Sequence, residues 1–149
     1  MFADLKKFIV LLNKYDVEYL IIGGYAVNIY GYARMTEDVD ILFKPGKVNG
    51  NKLLKVLKEF GVDLSELSNH DFKHSTHLRL GEYPNSIDLI NDTVGLDFSV
   101  VFANGKSFQI DGIQVKVIAL DDLIANKRAL NTYKDLADVE ELKKLRKKT

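Results

Sequence analysis

The apolar run Tyr19-Leu20-Ile21-Ile22 stops at a glycine pair, Gly23-Gly24, and the chain turns apolar again from Ala26 to Tyr30 before Gly31. Four consecutive apolar residues ended by a turn signal read as a short strand buried on both faces. Such a strand needs a sheet around it and helices covering that sheet. The glycines allow a tight turn and a close approach of backbone N–H groups to an anion, which a helix starting there favours electrostatically. A glycine pair is equally an ordinary tight turn, so its neighbourhood decides its meaning.

The rest of the chain supplies the sheet and the cover. Leu5, Phe8, Ile9, Leu12 and Tyr15 lie at helical spacing over residues 4–15, with Asp4 expected as N-cap. Ala26–Tyr30 is expected to be a short helix closed by Gly31, and Asp38–Phe43 alternates as a strand before Pro45-Gly46. Leu53, Leu54, Val56, Leu57 and Phe60 predict an amphipathic helix ending at Gly61. Residues 77–83 and 86–90 read as strands joined through Pro84-Asn85. Asp111-Gly112 between Phe108–Ile110 and Ile113–Ile118 is the strongest hairpin signal. Two helices close the chain, one from near Asp121-Asp122 and one from Thr132, where Thr132 and Asp135 have capping-box-like spacing. This order predicts an α+β (mixed α/β) fold, a central mixed sheet covered by helices with two C-terminal helices, as a single domain over residues 1–149.

Composition narrows the function classes. The 21 basic and 21 acidic residues balance, so no global field draws the protein to nucleic acid or an anionic membrane. There is no cysteine, which excludes disulfides, thiolate metal sites and cysteine nucleophiles. No apolar stretch approaches the roughly 20 residues of a membrane span. Asp4, Lys6 and Lys7 precede a short apolar run, Phe8–Leu12, without a small-residue cleavage site. A signal peptide is therefore not expected, and a cytoplasmic location follows by default.

The second constraint is Asp38-Val39-Asp40-Ile41. Residues two apart on a strand share a face, so Asp38 and Asp40 point one way and Val39, Ile41 and Phe43 the other. Neighbouring carboxylates raise each other's pKa unless a cation lies between them, and hard oxygens on a rigid strand suit Mg²⁺ or Mn²⁺. The other reading is a solvated face on a half-buried strand. The approach segment Arg34-Met35-Thr36-Glu37 adds a cation and a hydroxyl beside the acids.

Together, Ile22-Gly23-Gly24 and Asp38-Val39-Asp40-Ile41 resemble the nucleotidyltransferase superfamily, the DNA polymerase β-like fold. Its pattern is Gly-Gly or Gly-Ser after a strand, then acid–hydrophobic–acid–hydrophobic. The Arg34-x-Thr36-x-Asp38-x-Asp40 form is similar to the bacterial branch containing type IV toxin (AbiEii-like) and small nucleotidyltransferases. The glycine pair also resembles that of antibiotic nucleotidyltransferases, and the minimal antitoxin type, with Gly-Ser, is less similar. The resemblance implies a third carboxylate on a later strand, which Asp88 in Ser86-Ile87-Asp88-Leu89-Ile90 matches. It also covers Leu123–Ala129 and Lys134–Val139, where Lys127 would contact nucleotide phosphate and Asp135 would orient it. The implied reaction moves a nucleoside monophosphate from a nucleoside triphosphate to a hydroxyl of a tRNA, protein or small-molecule acceptor. Two Mg²⁺ or Mn²⁺ ions on Asp38, Asp40 and Asp88 would serve it, with Gly23, Gly24, Arg34, Thr36 and Lys127 at the phosphates. The alternative is a catalytically silent nucleotide-binding or regulatory, antitoxin-type module, with a protein partner.

Each of these residues also has a plainer reading. Asp88 can be a solvated strand residue, Lys127 a surface lysine, Asp135 a first-turn helix acid, and Asp138 an exposed residue or ion-pair partner. His70, His74 and His77 would line up for zinc only on a helix, and Ser75-Thr76 argues instead for a polar loop at the rim of the site. Tyr25, Tyr30 and Tyr32 can stack on a base or simply pack. The basic tail Lys143–Lys148 reads as a solvated helix end, with RNA contact the sharper alternative.

Overall fold

The computed structural model describes residues 1–36, 38–65, 67 and 72–148. The element order is α1 (Ala3–Lys14), β1 (Tyr19–Ile22), α2 (Gly23–Tyr30), β2 (Asp38–Phe43), α3 (Lys47–Phe60), β3 (His77–Leu80) and β4 (Ser86–Ile90). It continues with α4 (Phe98–Asn104), β5 (Lys106–Ile110), β6 (Ile113–Val117), α5 (Leu120–Leu130) and α6 (Tyr133–Lys147). The strands form one mixed sheet in the order β3-β4-β2-β1-β6-β5. β1 runs antiparallel to β2 and parallel to β6, β2 is parallel to β4, and β3 and β5 are antiparallel edges on β4 and β6. This is the expected α+β architecture.

β1 is buried along its whole length, which requires cover on both faces. One helix group is α1 with α3, joined by an edge-to-face contact of Phe8 and Phe60 at 5.1 Å. The other is α2 with α5 and α6. Leu5, Phe8, Ile9 and Leu12 of α1 and Leu53, Val56 and Leu57 of α3 are fully buried with Ile21, Ile41 and Phe43 of the central strands. Burying a side chain of this size is worth about 2 kcal/mol. Among the described residues no helix is long and apolar enough to cross a membrane.

Several boundaries differ from the sequence reading. Phe2, not Asp4, is the extended residue capping α1, and Asp4 lies in the first turn, where its charge favours the helix dipole. α2 starts at Gly23 instead of Ala26, because the glycine pair itself forms the first helical turn. α3 starts at Lys47, six residues before its first expected apolar position, since the buried face there is Asn49 and Gly50. Gly31 and Gly61 close α2 and α3 in the left-handed region as expected. β3 ends at Leu80, cut short by Gly81 at φ 75. The unforeseen α4 is capped by Asp97, whose carboxylate accepts from the Ser99 N–H at 3.0 Å. The Asp111-Gly112 hairpin and the Thr132 cap of α6 form as read.

Candidate active site

Strand register gathers the acids. Ile22, the last residue of β1, lies opposite Asp40; Asp40 pairs with Asp88 of β4, and Asp88 pairs with Arg79 of β3. Lateral partners share a face, and so do residues two apart. One face therefore carries Asp38, Asp40, Ser86, Asp88, His77 and Arg79, while Val39, Ile41, Ile87 and Leu89 fill the core.

The glycine turn abuts this face. Gly23 has φ 67, and a Cβ there would lie 2.5 Å from Asp40 Oδ2. A Cβ on Gly24 would lie 2.7 Å from Thr36 Oγ1 and 2.8 Å from an Arg34 guanidinium nitrogen. Side-chain-free backbone is therefore what lets β1 and α2 sit against both the acids and the segment leading into β2. The first N–H groups of α2 have no helical acceptor, which makes this turn a potential anion cradle.

A cleft of about 250 Å³ opens here, lined by Gly24, Arg34, Thr36, Asp38, Asp40, Lys127, Thr132, Lys134 and Asp135. Lys127 Nζ is 3.1 Å from both Asp135 Oδ1 and Asp138 Oδ2. Asp138 also takes a two-pronged bond from Arg34, Nε and Nη2 each at 2.8 Å. The third Arg34 nitrogen donates to the Met35 carbonyl at 2.8 Å. Arg34 is thus committed to protein acceptors, and Thr36 donates to the Asp38 carbonyl at 3.1 Å. Thr132 Oγ1 accepts the Asp135 N–H at 3.1 Å and donates to Asp135 Oδ2 at 2.6 Å. Asp135 is accordingly both a helix-capping partner and the orienter of Lys127. Burial works to raise its pKa, but the Thr132 hydroxyl and the Lys127 ammonium outweigh it and hold the carboxyl below its ordinary range.

The acids are unequally served. Arg79 Nε donates to Asp88 Oδ1 at 2.9 Å, and its Nη2 reaches Asp88 Oδ2 at 3.2 Å and Asp38 Oδ2 at 3.1 Å. His77 Nε2 lies 3.0 Å from Asp88 Oδ1, and Ser86 donates to Asp38 Oδ1. Burial would raise the Asp88 pKa, but Arg79 and His77 bring it below the usual carboxylate value. Asp40 has no hydrogen-bonding or ion-pair partner for its carboxylate among the described residues. Burial, then the neighbouring Asp88 and Asp38 charges, push it up to about 6 against the pull of Lys127 and His77.

Among the described residues no group of three or more His, Asp or Glu side chains is arranged to hold a metal as it stands. The Arg79 guanidinium lies between Asp38 and Asp88. The donor set nevertheless suits a hard divalent ion: three carboxylates share one face, a cation already stands among them, and Asp40 lacks one of its own.

Sequence reasoning missed Arg79, Ser86, Thr132 and Lys134 as site residues. The alternation of His77 and Arg79 with Leu78 and Leu80 signals a polar strand face, but only the β3–β4 register reveals what it faces. Of the two readings of Asp138, exposed residue or ion-pair partner, the second holds: it is 1% exposed and pairs with Arg34 and Lys127. His77 opens a strand and His74 precedes it in a loop, so these two do not line up on a helix; His70 lies outside the described residues. Tyr30 packs edge-on against Phe108 and donates to the Ile118 carbonyl at 2.6 Å, and Tyr25 and Tyr32 also pack on the core. In the tail, Lys143 and Lys144 pair with Glu140 and Glu141 one turn back, and Arg146 pairs with Asp121.

A family model described as "Nucleotidyl transferase of unknown function (DUF2204)" matches residues 1–149. The chain belongs to this family. Solved structures repeat the fold of this nucleotidyl transferase. The lincosamide antibiotic adenylyltransferase LnuA, solved with lincomycin bound, aligns with TM-score 0.62 and 17% identity, covering 97% of this chain and 98% of that one. The antigenic nucleotidyltransferase-like protein of Paracoccidioides brasiliensis gives 0.55 and 19%, over 93% and 74% of the two chains. The antibiotic-resistance factor ANT(2'')-Ia gives 0.57 and 12%, over 97% and 88%. No curated protein matches the chain.

Proposed function

We propose that this chain transfers a nucleoside monophosphate from a nucleoside triphosphate to an acceptor hydroxyl and releases pyrophosphate. The observation that carries the reading is a cleft lined by the glycine turn, a buried lysine, Asp38 and Asp40, with Asp88 beside Asp40 on the same sheet face. Asp38 and Asp40 would hold one divalent ion, and Asp88 would share a second. Bound there, Mg²⁺ or Mn²⁺ offsets charge on the triphosphate and leaving group and lowers the pKa of the acceptor hydroxyl.

The chain's own groups do the rest. Gly23 and Gly24 admit the phosphates to the backbone N–H groups at the start of α2. Lys127, fixed by Asp135 and Asp138, presents its ammonium to the cleft, where Lys134 adds a second cation. Arg34 acts through Asp138 and holds the phosphate wall in shape. The acceptor oxygen bonds to the α-phosphorus as the bond to the bridging oxygen breaks, and the hydroxyl proton passes to Asp88, whose carboxylate lies beside Asp40 on the same sheet face. LnuA and ANT(2'')-Ia make an antibiotic-like small molecule the first acceptor to try, ahead of tRNA and protein.

A second reading, a silent nucleotide-binding module, draws on the Arg79 bridge between Asp38 and Asp88. Incubation with α-labelled nucleoside triphosphates, Mg²⁺ and each acceptor class separates the two. The transferase labels an acceptor and loses that activity in Asp40→Asn. Full transfer by the variant would sink the assignment, and tight nucleotide binding without transfer would favour the module.

A further inference from the structure

Arg79 stands in an edge strand, directly opposite Asp88 in the β3–β4 ladder. Its guanidinium bonds both oxygens of Asp88 and one of Asp38; Ser86 bonds the other oxygen of Asp38. Every oxygen of two of the three carboxylates is thus engaged, and one arginine offsets one of the pair's two negative charges. The third, Asp40, is left without a partner among the described residues.

The partners differ in how free they are to move. The Asp88 side chain is 5% exposed and lies on a strand flanked on both sides, whereas the Arg79 side chain is 54% exposed. The arginine can swing into water at little cost to the core, while the buried Asp88 carboxylate cannot follow it. A divalent ion on the same oxygens would stand within a few ångströms of the guanidinium, where like charges repel strongly at low effective dielectric. Guanidinium and divalent ion therefore compete for Asp38 and Asp88.

We propose that Arg79 is an internal counter-ion for the carboxylate cluster, holding Asp38 and Asp88 together in the metal-free protein and leaving them when a divalent ion loads. The proposal rests on the reading of Asp38, Asp40 and Asp88 as metal ligands. It adds a positioning residue whose departure is linked to metal binding. The cost of removing Arg79 is part of the free energy of loading, so the cluster is held together between loadings at a reduced net negative charge.

The test uses the full chain without nucleotide and reads Mn²⁺ binding by electron paramagnetic resonance of the free ion, with thermal melts in EDTA. Arg79→Gln should melt lower than the parent in EDTA and bind Mn²⁺ roughly tenfold more tightly, because the three charge-assisted hydrogen bonds of the guanidinium no longer compete. Arg79→Lys keeps the charge but loses the fork, and should bind Mn²⁺ with intermediate affinity. Unchanged or weaker Mn²⁺ binding in both variants, with the parent binding normally, overturns the counter-ion role and leaves the metal reading intact. Mn²⁺ binding by none of the three proteins overturns both.

Discussion

At the scale of single residues the site is a set of opposed demands placed on Asp40. Gly23 must lack a side chain for the Asp40 carboxylate to stand where it does, since a Cβ would approach its Oδ2 to 2.5 Å. The carboxylate so admitted is poorly stabilised: burial, then Asp88 and Asp38, raise its pKa to about 6. A carboxyl whose pKa is raised on folding favours the folded state only while protonated. Its contribution therefore declines as pH rises from the ordinary carboxylate range through about 6, and at neutral pH the full cost is present. Asp40→Asn removes that cost. In EDTA at pH 7 the variant should be more stable than the parent by about 2 kcal/mol in urea unfolding, with the gap closing below the ordinary carboxylate pKa. The same variant should have no transfer activity. A less stable Asp40→Asn protein would show that the carboxylate has a stabilising partner. The glycines and the Asp38/Asp40 pair are legible in the sequence because turn chemistry and strand alternation are local rules. Arg79 is not, because its meaning depends on a register between strands.

At the scale of elements, the docking of α6 decides whether Lys127 is presented. This helix buries Asp135, Asp138, Val139 and Leu142, so half of its buried face is ionic. An apolar-stripe reading therefore assigns Asp138 to the surface. The structure instead uses it to tie α6 to Lys127 of α5 and to Arg34 in the segment before β2. Removing one partner from a buried network leaves the others charged and unpaired, which costs more than the network itself contributes. Asp138→Asn should destabilise the fold by about 3 kcal/mol in urea unfolding, against less than about 1 kcal/mol for Glu140→Gln in an exposed pair. Equal effects of the two substitutions would mean that α6 is held by Val139 and Leu142 alone. Helix α4 was illegible for a related reason: its seven residues bury only Phe98 and Val101, too few for a period to register.

For the whole molecule, local patterns yield most of the elements but not the order β3-β4-β2-β1-β6-β5, which is made of non-local pairings. The sheet places Asp88 beside Asp40 although they are far apart in sequence, and only the family resemblance anticipated that neighbourhood. The same placement makes the pH response of stability a balance over the fold. Asp40 weakens the folded state as pH rises, whereas Asp135, held low by Thr132 and Lys127 against its burial, strengthens it. A carboxyl with a depressed folded pKa contributes fully above its unfolded value of 3.8, and that contribution is lost as pH falls through the folded value. Asp135→Asn should therefore lower stability near neutrality by about 1–2 kcal/mol, since Lys127 keeps Asp138 but loses one of its two acids. Urea unfolding of parent and variant from neutral pH into the acid range should give curves that separate above the carboxylate range and converge below it. Curves that stay parallel through pH 3.8 would mean that Asp135 acts only through the shape of its cap at Thr132, and not through its charge on Lys127.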